Sequence, residues 1–272
     1  MPDFARDVLR LAIWLVLLAA IFVPLERLFT HRPAKLWRAQ TGVDLAWYFV
    51  NSLLPALIVA LPLGLLARAL QGIDPLGFYS AVAAWPIWLK LFAAFLVNDI
   101  GAYWVHRWQH ASPFLWRFHA IHHSAEHVDW LTNTRAHPID MVLVRLGGLV
   151  PVYLLGLASA TGGGLDMVTL WVSIVGTVWS FAIHANVRWR FGPLEWLVAT
   201  PAFHHWHHTN CEKRDRNFSA VFPLLDRVFG TAYLPQHLPS VYGIDGHVAP
   251  GFTGQLIDPL LGPVRPKAQP AE

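Results

Sequence analysis

Three short groups of histidines are the part of this 272-residue sequence whose types and spacing can do chemistry. They are His106-x3-His110, His119-x2-His122-His123 and, far downstream, His204-x2-His207-His208. Spacings of three and four place side chains on one face of a helix, where they can converge. Imidazole is a ligand for iron, zinc, copper and nickel. Eight or more converging imidazoles exceed the roughly four ligands of a tetrahedral zinc, so the count fits two metal ions. A single histidine pair beside an apolar stretch reads as interface polarity; three groups of related spacing do not.

Other polar residues sort around these groups. Asp99 lies seven residues before His106, so Asp99, Tyr103, His106 and His110 share one helix face. An ionisable group inside an apolar helix is a functional candidate, and metal-bound histidines donate their second ring N–H to a carboxylate or carbonyl. Asp99 is read as such an orienting carboxylate, with His137, before Pro138, as a second donor behind the ligands. His205 is adjacent to His204 and points about 100° away from it on a helix, so it is left out of the ligand set. His31, His127, His237 and His247 are read as structural or exposed. Asp226 and Arg227 are read as a structural pair. The single cysteine, Cys211, excludes an internal disulfide framework.

The elements that must position these residues are apolar helices. With 55% hydrophobic and 14% charged residues, the chain is too apolar for a soluble domain, where charged residues run near about a quarter. Crossing a hydrocarbon core takes about 20 helical residues. Leu45 to Ala67 has that length without a charge. Leu11 to Leu25 ends at Glu26-Arg27, not at a small-residue cleavage site, and is read as an anchor, not a signal peptide. Ala81 to Val105, Met141 to Ala158 and Leu165 to Ile183 follow, the last two joined by Thr161-Gly162-Gly163-Gly164. The expectation is an all-α membrane bundle of four to five spans carrying a histidine-rich cap, in one domain over residues 1–272 with an unstructured tail over 263–272. The pI near 9.2 does not point to nucleic acid, because the basic residues form no stripe. They mark topology instead: Arg27, Arg32, Lys35 and Arg38 put the loop after the first span inside, and alternation brings every histidine group to the same cytoplasmic side.

At the histidine groups the chain resembles the fatty acid hydroxylase and sterol desaturase superfamily. The likeness rests on HxxxH, HxxHH and HxxHH, on Leu115-Trp116-Arg117-Phe118 before His119, on Arg135-x-His137-Pro138, on Thr200-Pro201-x-Phe203 before His204, and on Asn217-Phe218 with Asp226-Arg227-Val228-Phe229-Gly230-Thr231. It covers residues 99–234, the expected catalytic region. The resemblance implies a non-haem di-iron centre using O2, with His106, His110, His119, His122, His123, His204, His207 and His208 as metal ligands. His184, at the inner end of the last span, is implied as a ninth. It also implies a lipid substrate, such as a fatty acyl chain, sterol or ether lipid, and hydroxylation, desaturation or ether cleavage as outcome; hydroxylation is the default, since rebound is the simplest ending of a shared hydrogen abstraction. No GxGxxG fingerprint and no fused haem or flavin motif occurs, so a separate reductase or redox carrier must supply electrons. Arg188, Arg190, Lys213, Arg214 and Arg216 form a basic face that could receive an acidic carrier. A zinc-dependent membrane hydrolase is the alternative, disfavoured because histidines greatly outnumber candidate acids and no HExxH is present. A metal transporter fits less well, because the clusters lie at helix ends on one side and not through the spans.

Overall fold

The computed structural model describes residues 3–158 and 167–266. Among these residues ten α-helices follow in order: α1 (Asp3–Leu28), α2 (Thr41–Leu70), α3 (Phe78–Ala83), α4 (Ile87–Ala111), α5 (Pro113–His123), α6 (Pro138–Leu154), α7 (Met167–His184), α8 (Pro201–His207), α9 (Leu224–Val228) and α10 (Phe252–Leu261). Among the described residues strand is confined to β1 (Gly246–His247) and β2 (Arg265–Pro266), paired antiparallel. Within the expected unstructured tail Arg265 and Pro266 pair with His247 and Gly246, and residues 267–272 lie outside the described residues, as does the glycine turn at 161–164.

Among the described residues three helices are long and apolar enough to cross a membrane, Phe4–Leu28, Thr41–Leu70 and Met167–His184, and a bent pair makes up to four. The chain is a multi-pass helical membrane protein. Leu57 and Leu61 of α2 and Phe92 of α4 point outward without cover, as lipid-facing side chains should. Two expected spans differ from the sequence reading. The stretch Ala81 to Val105 is broken before Pro86, where the two helical pieces meet at 113°; Pro86 restricts the residue before it to extended backbone and cannot supply an N–H. The stretch Met141 to Ala158 is helical only over Pro138–Leu154, seventeen residues, or about 26 Å, short of a full hydrocarbon core.

α6 lies against α4 and α2, and the α4–α6 contact is backbone on backbone. A Cβ at Gly101 would collide with the Gly147 carbonyl oxygen and stand 2.8 Å from its carbon, and one at Gly148 would collide with Asn98. Small residues let membrane helices approach this closely. Gly101→Leu is expected to destabilise the detergent-solubilised protein by about 1–3 kcal/mol or more, read as a lowered melting temperature, whereas Gly176→Leu, with open space at its Cβ, is expected to leave it unchanged.

Three helices that carry or follow histidines start alike. Ser112 accepts from the Leu115 amide and Thr200 from the Phe203 amide, each with proline at the next position, and His137 accepts from the Ile139 amide ahead of Pro138. Side-chain caps with proline at the first helical position fix where each helix begins, and hence the phase of every side chain after it. Beneath the cap, Asp44 of α2 receives Arg38 at 2.5 Å and Arg135 at 2.6 Å. Arg38 also reaches Asp129 at 2.7 Å. Asn51 donates to the carbonyls of Thr134 and Ala136. This network ties α2 to the segment that leads into α6.

Candidate metal centre

The histidines converge in two groups. His106 and His110 from the end of α4, His119 and His123 from α5 and His207 from α8 form one; His122 of α5, His184 at the end of α7, His204 of α8 and His208 just beyond it form the other. Within each group the candidate ligand atoms lie within 4.8 Å of one another. Every histidine implied as a ligand falls in one of the two. Residues four apart on a helix stay together, so His106 pairs with His110, His119 with His123, and His204 with His208. The neighbours His122 and His207 project about 100° away and cross into the other group.

The nitrogen geometry is that of ligands around an ion. In the second group Nε2 of His184 stands 3.2 Å from that of His122, 3.0 Å from that of His204 and 3.2 Å from that of His208. In the first, His119 Nε2 is 3.1 Å from Nε2 of both His106 and His123. Imidazole nitrogens about 2.1 Å from a common metal stand roughly 3.0 to 3.4 Å apart, from right-angle to tetrahedral arrangements. The proton assignments exclude hydrogen bonding for one of these contacts. His122 Nδ1 donates to the Arg135 carbonyl at 2.9 Å and His184 Nδ1 to the Ser180 carbonyl at 2.7 Å. Each Nε2 of a neutral ring is then a bare lone pair, and the two face each other at 3.2 Å. Only a cation between them makes that contact favourable. Burial first, then neighbouring imidazoles such as His119, lowers the pKa of His122 to about 4, and burial and neighbouring imidazoles hold His123, His204, His207 and His208 well below the usual range. The donor set therefore fits metal.

A family model for fatty acid hydroxylases matches residues 91–231, more than half of the chain. The chain belongs to the fatty acid hydroxylase family. An ornithine lipid hydroxylase of Rhizobium tropici is 35% identical over 179 residues, which is 65% of this chain and 52% of that protein. An alkylglycerol monooxygenase of Danio rerio is 31% identical over 163 residues, 60% of this chain and 33% of the relative. A putative methylsterol monooxygenase of Dictyostelium discoideum is 25% identical over 237 residues, 84% of this chain and 82% of the relative. The chain thus spans about half the length of the first of these relatives and a third of the second. No solved structure matches it.

In this member of the fatty acid hydroxylase family the groups behind the histidines differ from the sequence reading. Asp99 is buried but reaches no histidine; it accepts the backbone amides of Ala220, Val221 and Phe222, at 3.1, 3.2 and 2.7 Å. A carboxylate inside the bundle takes the unpaired N–H groups of a loop folding over it. It acts at one remove, because that loop presents the Phe218 carbonyl to His106 Nδ1 at 2.7 Å. His137 also reaches no ligand: its Nδ1 caps α6 and its Nε2 donates to the Leu256 carbonyl at 3.1 Å. Being the first turn's cap, it faces its own helix and α10. Asp226 pairs not with Arg227 but with the amides of Phe218 and Ser219 and the hydroxyls of Ser219 and Thr231, while Arg227 lies over the Trp196 ring. His205 turns away from both groups, as read, to the Tyr242 hydroxyl and the carbonyls of His184 and Ala185. The basic face is largely paired within the chain: Arg190 with Glu195, Arg214 with Asp245 and Lys213 with Glu212, while Arg216 donates to the Gly230 carbonyl.

The carboxylates that do meet histidines are Asp140, 3.2 Å from His119 Nδ1, and Asp215, 2.8 Å from His110 Nδ1. Sequence reasoning missed both. Asp140 had a signal, two residues past His137-Pro138 in the first turn of α6. Asp215 sits in a mixed charged run, and its contact to His110 spans 105 residues. Outer partners of metal-bound histidines typically matter by about 10–100-fold in metal affinity. Asp140→Asn is expected to lower affinity by that much while the fold is kept, measured by competition with a chelator.

Proposed function

We propose that this chain is a membrane lipid oxygenase whose two histidine groups each hold an iron ion, with the five-histidine group and the four-histidine group as the ligands. The observation that carries the reading is the pair of bare Nε2 lone pairs of His122 and His184 facing each other. Iron held there would supply the activation of O2 needed to cleave an unactivated C–H bond. The balance is R–H plus O2, two electrons and two protons giving R–OH and water. A separate reductase or small redox carrier provides the electrons, and desaturation is the same hydrogen abstraction with a second hydrogen lost in place of oxygen transfer.

The chain's own residues bind, orient and exclude water. Arg135, Phe218, Ser180 and Arg216 offer backbone carbonyls that hold the Nδ1 protons of His122, His106, His184 and His207, leaving Nε2 free toward the ion. Asp140 and Asp215 do the same for His119 and His110 with charge added. The names of the relatives, hydroxylases and monooxygenases of ornithine lipid, alkylglycerol and methylsterol, support a lipid as substrate. The basic α1–α2 loop supports a cytoplasmic position for the histidine side.

The test is oxygen incorporation. Protein purified from iron-replete cells, given a membrane lipid extract, a chemical or enzymatic reductant and 18O2, is expected to yield a lipid heavier by one labelled oxygen. A product whose new oxygen is unlabelled and so comes from water, or stoichiometric zinc that survives iron supplementation, sinks the oxygenase and favours hydrolysis.

A further inference from the structure

The loop between α1 and α2 carries Arg32, Lys35 and Arg38, and its charge alone is accounted for by topology. The surroundings of these residues ask for more. Arg38 is matched by Asp44 and Asp129. Arg135 comes to the same place from the segment before α6, giving Nε to Asp44 and Nη1 to Gln40. Its Nη2 has no hydrogen-bond partner, although the side chain is 0% exposed. A buried cationic N–H without an acceptor is costly and rare.

Arg135, Arg32 and Lys35 are all among the residues that line a cavity of about 1100 Å³. The Arg32 guanidinium is held over the Tyr242 ring at 5.2 Å. Glu126 is the one acidic residue among those lining the cavity. Because Arg38 and Arg135 are balanced by Asp44 and Asp129, the balance of Arg32 and Lys35 over Glu126 leaves the space positive. The loop joins the ends of two spans, and beside Lys35 it exposes Leu36 and Trp37, at 65% and 68%. Basic residues with adjoining bare apolar ones are what a chain presents at the headgroup level of a membrane. The cavity also adjoins the metal site. Ser124 and Ala125, directly after His122-His123, line it, and the Arg135 carbonyl is the one that holds His122 Nδ1.

We propose that this cavity is an anion site that takes a phosphate or carboxylate group of a membrane lipid's polar head, with Arg32 and Lys35 as donors and the buried Arg135 guanidinium adding positive charge behind them. The site fixes the head of the lipid beside the histidines, so the enzyme selects anionic over zwitterionic lipids. The proposal rests on the lipid-oxygenase reading only in taking the bound lipid for the substrate; binding itself is read without turnover.

The test uses the full chain in neutral detergent, titrated with short-chain phosphatidylglycerol, short-chain phosphatidylcholine and inorganic phosphate, with tryptophan fluorescence as readout and metal content measured on the same samples. Arg135→Gln disturbs the buried network and can fail to fold, so the variant is Arg32→Gln with Lys35→Gln, which leaves Asp44 and its partners in place. The expected result is saturable, salt-sensitive binding of phosphatidylglycerol, weakened about tenfold to a hundredfold in the variant, since a charge-assisted hydrogen bond is worth about a factor of ten or more. Phosphate binding alone, equally weakened in the variant, keeps the anion site and names a free anion as its source. Equal binding of phosphatidylcholine, or a variant that binds like the parent, overturns the proposal. Zinc in place of iron with anion binding intact would count against the oxygenase alone.

Discussion

Replacing His122 and His123 together by alanine is expected to strip both metal positions, because these neighbours on α5 belong to different groups. The parent should carry about two ions per chain and the double variant close to none, with activity falling beyond the roughly 10–100-fold that attaches to outer partners. Two further pairs sharpen the test. His204→Ala with His208→Ala removes half of the four-histidine group and leaves the five-histidine group whole, so one ion per chain should remain. His119→Ala with His123→Ala should spare the other ion in the same way. Iron analysis on folded, size-fractionated protein measures all three. If the 204/208 pair lost both ions together, or neither, the division into five and four would be wrong.

The second large effect is expected at Asp44, far in sequence from every histidine of the two groups. Its side chain is 0% exposed and accepts from Arg135, itself 0% exposed, at 2.6 Å. Asp44→Ala strands that guanidinium in the interior, and breaking a buried pair from one side costs about 3–5 kcal/mol. The apparent melting temperature in detergent should drop steeply. Metal should go with it, since Arg135 and its neighbours hold the His122 ring and the start of α6. The exposed pair Arg10 and Asp7 is the control: with side chains 66% and 50% exposed, Asp7→Ala should change stability by about 1 kcal/mol or less. An Asp44 variant as stable as the Asp7 variant would show that the buried network carries no weight in the fold.

Both predictions concern contacts between segments far apart in the chain, and this is where sequence reading reaches its boundary. Spans announced themselves because a hydrocarbon core demands about 20 apolar helical residues, a local property. The histidines did so because spacings of three and four are local too. Where a local rule competes, the reading moved: Pro86 breaks a run that hydropathy alone had joined, and α6 stops at Leu154. The partners behind the ligands were not legible. Asp99 had the right helix face, yet the loop at 220–222 supplies donors that no spacing rule brings to it. Asp215 reaches His110 only because the segment after α8 folds back over α4.

By itself, then, the sequence determined an all-α membrane chain and the eight clustered histidines, because helix periodicity and bilayer thickness act within one segment; His184 joined them only through the family resemblance. The tertiary structure decided how those nine divide into five and four, with His122 and His207 crossing to the group opposite their own helix neighbours. It also decided that Asp140 and Asp215, not Asp99 and His137, stand behind the rings. The physical reason is the same in each case: a helix fixes the direction of a side chain, but the ring or carboxylate it meets depends on which other helix lies across from it.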